Sequence, residues 1–360
     1  MTLSNEKMYF RINGVDYTDF IGISCSKSMV EFSGGFTFNI TDRKDSGKFF
    51  DGSEKCEIVI GSEIVSTGFI DEFSGNLDNG NHIINASGNE KTVDIIDSDL
   101  TSNIDFTGAI KLKDVIKKVL STLNITDISV DSNIGVEAFT GDDLVNAEIG
   151  DNAFSFIEDY CKKRQVVITT TKKGNILLQR ASTEFNGDVL QRIKGNTTNN
   201  VLTSSFRESF RNRYAQYICR CSDNLSTGEY DVGFEERKAS SYDNQIRSTR
   251  KKEIIIDSSD IYTLRKRAIW EQNFRLNGGV YDCKVQGFRS PVTNEVWYPN
   301  MLVLVKDTTW KIDKMMVVRD VEWKQDGAGS FTKLSLVDPI AFSTLKDYTY
   351  DFKSGTIKRK

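Results

Sequence analysis

Imidazole chemistry has a single candidate in this chain, because His82 is the one histidine among 360 residues. Serine–histidine nucleophile systems and sites with several histidine ligands both need that residue type. His82 lies in the run Asn81-His-Ile-Ile beside a predicted turn, where an exposed or turn-capping side chain is the simpler explanation. The sequence therefore predicts no catalytic residue and no metal site.

Carboxylate pairs and a phosphate loop are the next candidates for chemistry. Neighbouring acids on a strand point to opposite faces, so no adjacent pair supplies both groups of a two-carboxylate glycosidase site. Asp45-Ser-Gly47-Lys48 ends like a phosphate-binding loop, but Asp42 stands where that loop requires glycine. We expect no bound cofactor, and solvated charge at three acidic pairs: Asp71-Glu72, Asp142-Asp143 and Glu235-Glu236.

Cysteines and tryptophans are predicted to be structural. Of six cysteines only Cys219 and Cys221 are close in sequence, and a one-residue spacing is not the usual one for zinc or redox sites. On a strand the two thiols share a face, as buried small hydrophobes in a reducing compartment would. The four tryptophans could form sugar-binding platforms, but predicted positions in strands and a helix favour core packing: Trp270, Trp297, Trp310 and Trp323.

Charge and hydropathy argue against two further classes of protein, those that bind nucleic acid and those that span a membrane. The 47 basic and 51 acidic residues are mixed along the chain, and the nearest basic cluster, Arg247 to Lys252, is predicted to be a solvated strand entry. Apolar runs such as Met301 to Val305 are far shorter than the ~20 residues of a spanning helix. No signal peptide is visible at the N-terminus, so we expect cytoplasmic assembly without membrane insertion.

The hydrophobic pattern predicts a mainly β fold with a mixed α/β insert. Residues 1–100 read as a β-barrel domain that begins with a hairpin, Met8 to Tyr17, turning at Asn13-Gly14. Residues 101–198 read as a mixed α/β domain, with helices near residues 112–120 and 152–163 and a hairpin over 166–178.

The remaining residues are predicted to form a second β-rich domain and a tail. Residues 199–342 read as a second β-barrel domain with strands such as Gly228 to Phe234 and one long helix from Ser259 to Leu276. The final strands are expected at residues 301–305, 310–313, 315–323 and 331–337. Residues 343–360 are predicted to be a flexible C-terminal tail.

A similar sequence pattern, an internal echo, occurs in both β-rich regions. Ile64 to Gly88 and Val317 to Asp338 share one plan, in which an apolar and acidic strand, a glycine-containing turn and a second strand follow each other. Two similar barrels that flank a mixed domain would explain the echo. A chance similarity of two hairpins is the alternative.

Six runs in the C-terminal third carry a resemblance to a known family: Arg267-Ala-Ile-Trp-Glu271, Tyr281 to Gly287, Val296-Trp-Tyr-Pro-Asn300, Val303-Leu-Val-Lys-Asp307, Val318 to Trp323 and Leu334 to Phe342. Two upstream segments, Gly150 to Phe156 and Asn200 to Ser204, extend it over residues 145–342. In these runs the chain resembles the baseplate hub proteins of Mu-like contractile phage tails, the late control or tail hub family.

The resemblance implies a structural role without catalysis. Such hubs are homotrimers with two tail-tube-like barrels per chain, so that six barrels face the sixfold tail tube or its initiator and a threefold face holds the central spike. It also implies contact with baseplate wedge proteins, a location in the virion tail baseplate after assembly in the host cytoplasm, and DNA only in passage through a central channel.

Other readings stay open beside this one. A phage-like bacteriocin or a type VI secretion particle uses the same kind of hub. A hub that also hydrolyses peptidoglycan would need a lysin domain, although the hub-like pattern runs to Phe342. A carbohydrate-binding module would expose its tryptophans.

Overall fold

The N-terminal region is built from alternating strands, as its hydrophobic pattern predicts. The computed structural model describes residues 6–18, 20–41, 54–78, 81–106, 108–140, 145–222, 238–258, 260–344, 349–351 and 356–358. In β1 alternate residues are buried, which is the period of a strand with one face on a core. The first seven strands are β1 (Met8–Ile12), β2 (Val15–Tyr17), β3 (Gly22–Ser28), β4 (Gly35–Thr41), β5 (Lys55–Ile60), β6 (Glu63–Asp78) and β7 (Asn81–Glu90).

The predicted first hairpin is confirmed. β1 and β2 pair antiparallel around Asn13 and Gly14, whose φ values of 48° and 82° are those of a type I′ turn. This turn matches the right-handed twist of the strands it joins, and Asn-Gly is the dipeptide that adopts it most readily.

The middle of the chain mixes helices with short strands around its own hydrophobic core. The predicted amphipathic helices and the hairpin at Gly174 are confirmed, with Asn152 capping the second long helix by accepting a hydrogen bond from the Ser155 amide. The elements are α1 (Val93–Ile96), β8 (Ile104–Phe106), α2 (Leu112–Thr122), β9 (Val130–Ser132), β10 (Val145–Ala147), α3 (Ala153–Lys163), β11 (Val167–Thr170) and β12 (Ile176–Gln179).

The C-terminal part returns to strands and holds the longest helix. That helix starts at its cap Asp260 and ends in a 3-10 turn, Arg275–Gly278, close to the predicted bounds. The elements are β13 (Phe185–Arg192), β14 (Val201–Arg207), β15 (Gln216–Cys221), β16 (Lys238–Tyr242), β17 (Lys251–Ile256), α4 (Ile261–Phe274), β18 (Val280–Gln286), β19 (Leu302–Asp307), β20 (Ile312–Asp326), β21 (Gly329–Val337), a 3-10 helix (Pro339–Phe342), β22 (Thr349–Asp351) and β23 (Thr356–Lys358).

One 13-stranded sheet contains the strands of both β-rich regions, which confirms a mainly β fold with a mixed insert. In the first region neighbouring strands follow the order β3-β4-β7-β6-β5-β1-β2, and in the second the order is β14-β18-β21-β20-β19-β13. Position by position, β3, β4, β7, β6, β5 and β1 therefore correspond to β14, β18, β21, β20, β19 and β13. The sixth strand differs in direction, because β1 pairs antiparallel with β5 and β13 pairs parallel with β19. We call these two sets of six strands the first and second repeat. One hydrophobic core runs through both.

The two long hairpins match in register as well as in order. A β-bulge shifts the pairing of β6 with β7 between Ile70 and Glu72, and one shifts β20 against β21 between Val318 and Asp320. Seven residues of each long strand pair between the bulge and the turn. The echo in the sequence is thus a repeated topology, and chance similarity of two hairpins does not account for it.

Some strands stand outside the large sheet. β15, β16 and β17 form a sheet of their own, and α4 packs on it through a small apolar cluster. In the tail, β22 pairs antiparallel with β23. The division into four domains at residues 100, 198 and 342, and the flexibility of the tail, stay predictions.

Trp310 corrects one expectation. It was predicted in a strand with its ring in the core, but it lies in the turn between β19 and β20 and is 42% exposed. The Asp307 carboxylate fixes this turn by accepting hydrogen bonds from the Thr309 and Trp310 amides, so the strand starts later, at Ile312. The other three tryptophans are buried as predicted.

Candidate assembly surfaces

In the described part of the chain, the residues considered for catalysis or metal binding do not gather into a common site. Within those residues no group of three or more His, Cys, Asp or Glu side chains could hold a metal ion. Asp71 and Glu72 are exposed at the β6 bulge. The His82 side chain, the loop at 42–48, the strand predicted at 228–234 and two acidic pairs, Asp142-Asp143 and Glu235-Glu236, lie outside the described residues.

The cysteines and the basic cluster have the places predicted for them. All six cysteines are free and buried, and Cys219 and Cys221 share the covered face of β15. Burial raises the pKa of Cys25 and that of Cys219 to about 12, so these thiols stay protonated and unreactive at neutral pH. Arg247 to Lys252 lead into β17 as an exposed or half-exposed strand entry.

A buried ion pair ties the first repeat to the mixed insert. Lys27 of β3 and Glu90 at the end of β7 contact each other and are 3% and 0% exposed. The Lys27 ammonium also donates to Thr170 Oγ1 of β11 at 2.9 Å, and Glu90 accepts from the Ser66 hydroxyl at 3.0 Å. Burial alone would lower the pKa of Lys27, but the Glu90 carboxylate raises it above its usual value.

A second junction joins the two repeats edge to edge. Beyond its bulge β20 pairs antiparallel with β3, from Asp320 opposite Ser28 to Asp326 opposite Gly22. Trp323 and Cys25 face each other there, and both are buried. The sheet therefore passes from one repeat to the other inside a single chain.

One face of the joined sheet is polar. The side chains that alternate with the core residues line a hollow of about 530 Å³ and a neighbouring groove over the junction. Most are hydroxyl, amide or paired charged groups, and we call them the polar face: Ser24, Ser26, Ser28, Thr37, Ser87, Asn89, Thr203, Ser205, Asp282, Lys284, Asp320, Glu322, Lys333 and Ser335.

Charges on the polar face are mostly neutralised. The Lys333 ammonium lies 2.7 Å from a Glu322 oxygen, and Arg319 Nε donates to Asp320 at 2.7 Å. The Ser335 hydroxyl donates to the Asp282 carboxylate at 2.6 Å. No strong field of either sign develops along such a surface.

Four strand edges of the large sheet lack a ladder partner on one side among the described residues, namely β2, β13, β14 and the second half of β6. Glu72–Asp78 of β6 pairs with β7 on one side only, and β14 pairs with β18 on one side only. Exposed strand edges are templates for pairing with another chain. The sequence analysis missed the edges of β6 and β14. Leu202 and Phe206, two large apolar residues beside the polar run Thr203 to Ser205, were a signal for the edge of β14. In the structure they are 43% and 38% exposed.

Comparisons with known proteins point to phage tails. Residues 7–90 match the model of the Mu phage baseplate assembly protein GpP-like, N-terminal, and residues 262–345 match that of the Mu phage baseplate assembly protein GpP, fourth domain. These matches cover the first repeat and much of the second. Baseplate hub protein gp44 of Escherichia phage Mu is 23% identical over 311 residues, 84% of this chain and 79% of the phage protein.

Solved structures share the fold. The 43 kDa tail protein of prophage MuSo2 from Shewanella oneidensis has a TM-score of 0.76 at 24% identity, covering 93% of this chain and 99% of its own. A tail protein from Neisseria meningitidis has a TM-score of 0.78 at 17% identity, covering 93% and 97%. A type VI secretion system component from E. coli has a TM-score of 0.51 at 8% identity, covering 91% and 76%.

Proposed function

The chain belongs to the Mu-like baseplate hub proteins of phage tails, and we propose that three copies of it form an adaptor between the sixfold tail tube and the threefold central spike. The role is mechanical rather than catalytic. The hub seats the spike on one side and starts the tube, or binds its initiator, on the other. Baseplate wedge proteins surround it in the virion, and assembly takes place in the host cytoplasm.

The repeated topology is the observation that carries this proposal. Each chain presents the same order of six strands twice, with only the sixth strand reversed in direction, so three copies offer six similar units to a sixfold partner. The mixed insert and the small sheet under α4 occur once per chain. Three copies of those parts offer threefold symmetry to a threefold partner.

The polar face suits the wall of a channel that DNA crosses. Proteins that hold nucleic acid neutralise phosphates with unpaired lysines and arginines. Here hydroxyl and amide groups predominate and the lysine at position 333 is already paired with Glu322. DNA would slide past such a surface without being trapped.

A hub of a related contractile particle is the second candidate. The fold likeness to a type VI secretion component favours it, and a bacteriocin particle would use the same part. Capsid and terminase genes beside the coding sequence would identify a phage.

No helix in the described residues is long and apolar enough to cross a membrane.

The proposal predicts a trimer in solution. Light scattering over a range of concentrations, alone and with the spike protein, should give three times the 40.7 kDa chain mass. Averaged electron micrographs of that species should show a ring with six similar lobes on one face. A mass that stays at one chain with and without spike and tube proteins would refute the adaptor.

A further inference from the structure

We infer that Glu72–Asp78 of β6 in one copy pairs antiparallel with β14 of the next copy, so that the sheet continues from chain to chain. The inference deepens the proposed function and rests on it, since it names the contact that builds the ring. The junction between β20 and β3 within one chain is the model for this contact.

The formed junction identifies which edges should meet. Within one chain the half of β20 beyond the bulge pairs with β3. By the shared strand order, the counterpart of that half in the first repeat is Glu72–Asp78, and the counterpart of β3 in the second repeat is β14. Both edges lack a ladder partner on that side among the described residues. Each copy thus holds one complete junction and both halves of another.

Cross-strand pairing fixes the correspondence residue by residue. In the first repeat Cys25 lies opposite Phe36, which lies opposite Gly88 of β7. In the second repeat Phe206 lies opposite Tyr281, which lies opposite Leu336 of β21. Phe206 therefore holds the place of Cys25 in its strand.

The same logic gives the register between copies. Gly75 holds the place of Trp323, because both lie three positions beyond the first paired residue after their bulges, Glu72 and Asp320. Since Trp323 faces Cys25 in the chain, Gly75 of one copy faces Phe206 of the next. One step along, Ser74 faces Arg207.

Burial supports the assignment independently. β3 alternates between buried and half-buried residues because β20 and β4 flank it, whereas nearly every residue of β14 after Val201 is exposed. Cys25 is 1% exposed and its counterpart Phe206 is 38% exposed. An aromatic side chain at a core-facing position stays exposed there because its strand lacks the neighbour that β3 has.

Geometry makes the contact a ring-forming one. The two edges belong to different surfaces of the chain, so their contact is heterologous, and a heterologous contact yields a closed ring or an open filament. Closure removes both edges at once, which also ends the aggregation hazard of unpaired strands.

A crosslink tests the register in the full chain. Ser74→Cys with Arg207→Cys should give covalently linked dimers and trimers on a non-reducing gel after oxidation or treatment with a short thiol crosslinker. Both positions are exposed in the single chain. Wild-type protein and each single variant should stay unlinked, since the native cysteines are buried.

A matched pair serves as the register control. Ser74→Cys with Thr203→Cys places the second thiol four residues along the same strand, about 13 Å away in the inferred register, beyond disulfide reach. A trimer that links through 203 and not through 207, or through neither, would overturn the strand pairing while the trimeric hub stood. A chain that stays monomeric with spike and tube proteins would overturn both.

An edge variant gives a second measurement. Phe206→Lys should abolish the ring, because the lysine ammonium would be buried at the junction, while the circular dichroism of the single chain stays unchanged. Tyr262→Lys, on α4 and 68% exposed, is the control and should leave the ring intact. A Phe206→Lys protein that forms the ring as well as wild type would contradict the inference.

Discussion

At the scale of single residues, the Lys27–Glu90 pair is a buried contact between distant parts of the chain. Both side chains are enclosed where β3, β7 and β11 meet. A buried pair of this kind adds little over an apolar replacement, but breaking it leaves a charge without water or partner. Both partners also hydrogen-bond to Thr170, so the pair links the mixed insert to the first repeat.

Removing one partner should destabilise the protein strongly. Lys27→Met leaves the Glu90 carboxylate buried and unpaired, and we expect the free energy of unfolding to fall by about 3–5 kcal/mol. Urea unfolding followed by tryptophan fluorescence measures it. The double variant Lys27→Met, Glu90→Leu should recover much of the loss, and a single variant as stable as wild type would show that the pair is not isolated from water.

A carboxylate on α4 should make stability depend on pH. Burial alone would raise the pKa of Glu271, but Arg267 and Arg275 lower it below its usual 4.5. A lowered pKa in the folded state contributes stability at neutral pH that is lost as the pH falls through and below 4.5.

Substitution separates this contribution from other acid effects. Glu271→Gln should be less stable than wild type at about pH 7, and its stability should fall less between about pH 5 and about pH 3. Thermal unfolding across that range is the measurement. Identical pH profiles for the two proteins would contradict the assignment.

At the scale of elements, the predictions that succeeded were those with local causes. Asn13-Gly14 fixes the first hairpin, and the apolar spacing from Leu112 to Leu120 defines α2. The junction between β20 and β3 could not be predicted, because its partners are roughly 300 residues apart in sequence and no local pattern sets register between distant strands. The region of β15 to β17 was likewise predicted as part of the second β-barrel domain, whereas these strands form a separate sheet under α4.

Trp310 and β14 show why the assembly surface was missed. Trp310 and Ile312 alternate with polar residues as in a strand, yet Asp307 makes the chain turn there. A side-chain cap of this kind outweighs the hydrophobic pattern. In β14 apolar and polar residues do not alternate cleanly. A strand whose second neighbour belongs to another molecule does not show the usual pattern of burial in one chain.

The cap of α3 is the element-scale prediction. Asn152 accepts from the Ser155 amide and its own amide group donates to the Ile96 carbonyl at 2.8 Å. Asn152→Ala removes these two bonds and a longer one to the Ser98 carbonyl, and should cost about 1–2 kcal/mol in urea unfolding. Asn152→Asp keeps the cap and should lose less, whereas equal losses would place the importance in the Ile96 contact.

At the scale of the whole molecule, both repeats place their core on one side of the sheet and the polar face on the other. The proposed channel then follows from ring closure with the polar face inward. Its small, charge-paired side chains are what a passage for a polyanion needs. Wall charge should therefore control DNA transit without affecting assembly.

Added positive charge should slow passage of DNA. Ser24→Arg with Ser87→Arg puts two extra cations per chain on the polar face, and phage carrying them should assemble normally but eject DNA more slowly, most clearly at low salt. Ejection followed by dye fluorescence measures it, with Ser24→Gln and Ser87→Gln as the size-matched control. Unchanged ejection by assembled particles would argue against a wall at this face.

The covalent link between the repeats has a consequence for stoichiometry. Because the β20–β3 junction forms within one chain, half of all junctions in a ring arise when the polypeptide folds, at an effective concentration that no subunit collision can match. Assembly of the proposed ring then needs half as many junctions between molecules as single-repeat subunits would need. Because every chain contributes two repeats, a closed ring of such chains always contains an even number of repeats.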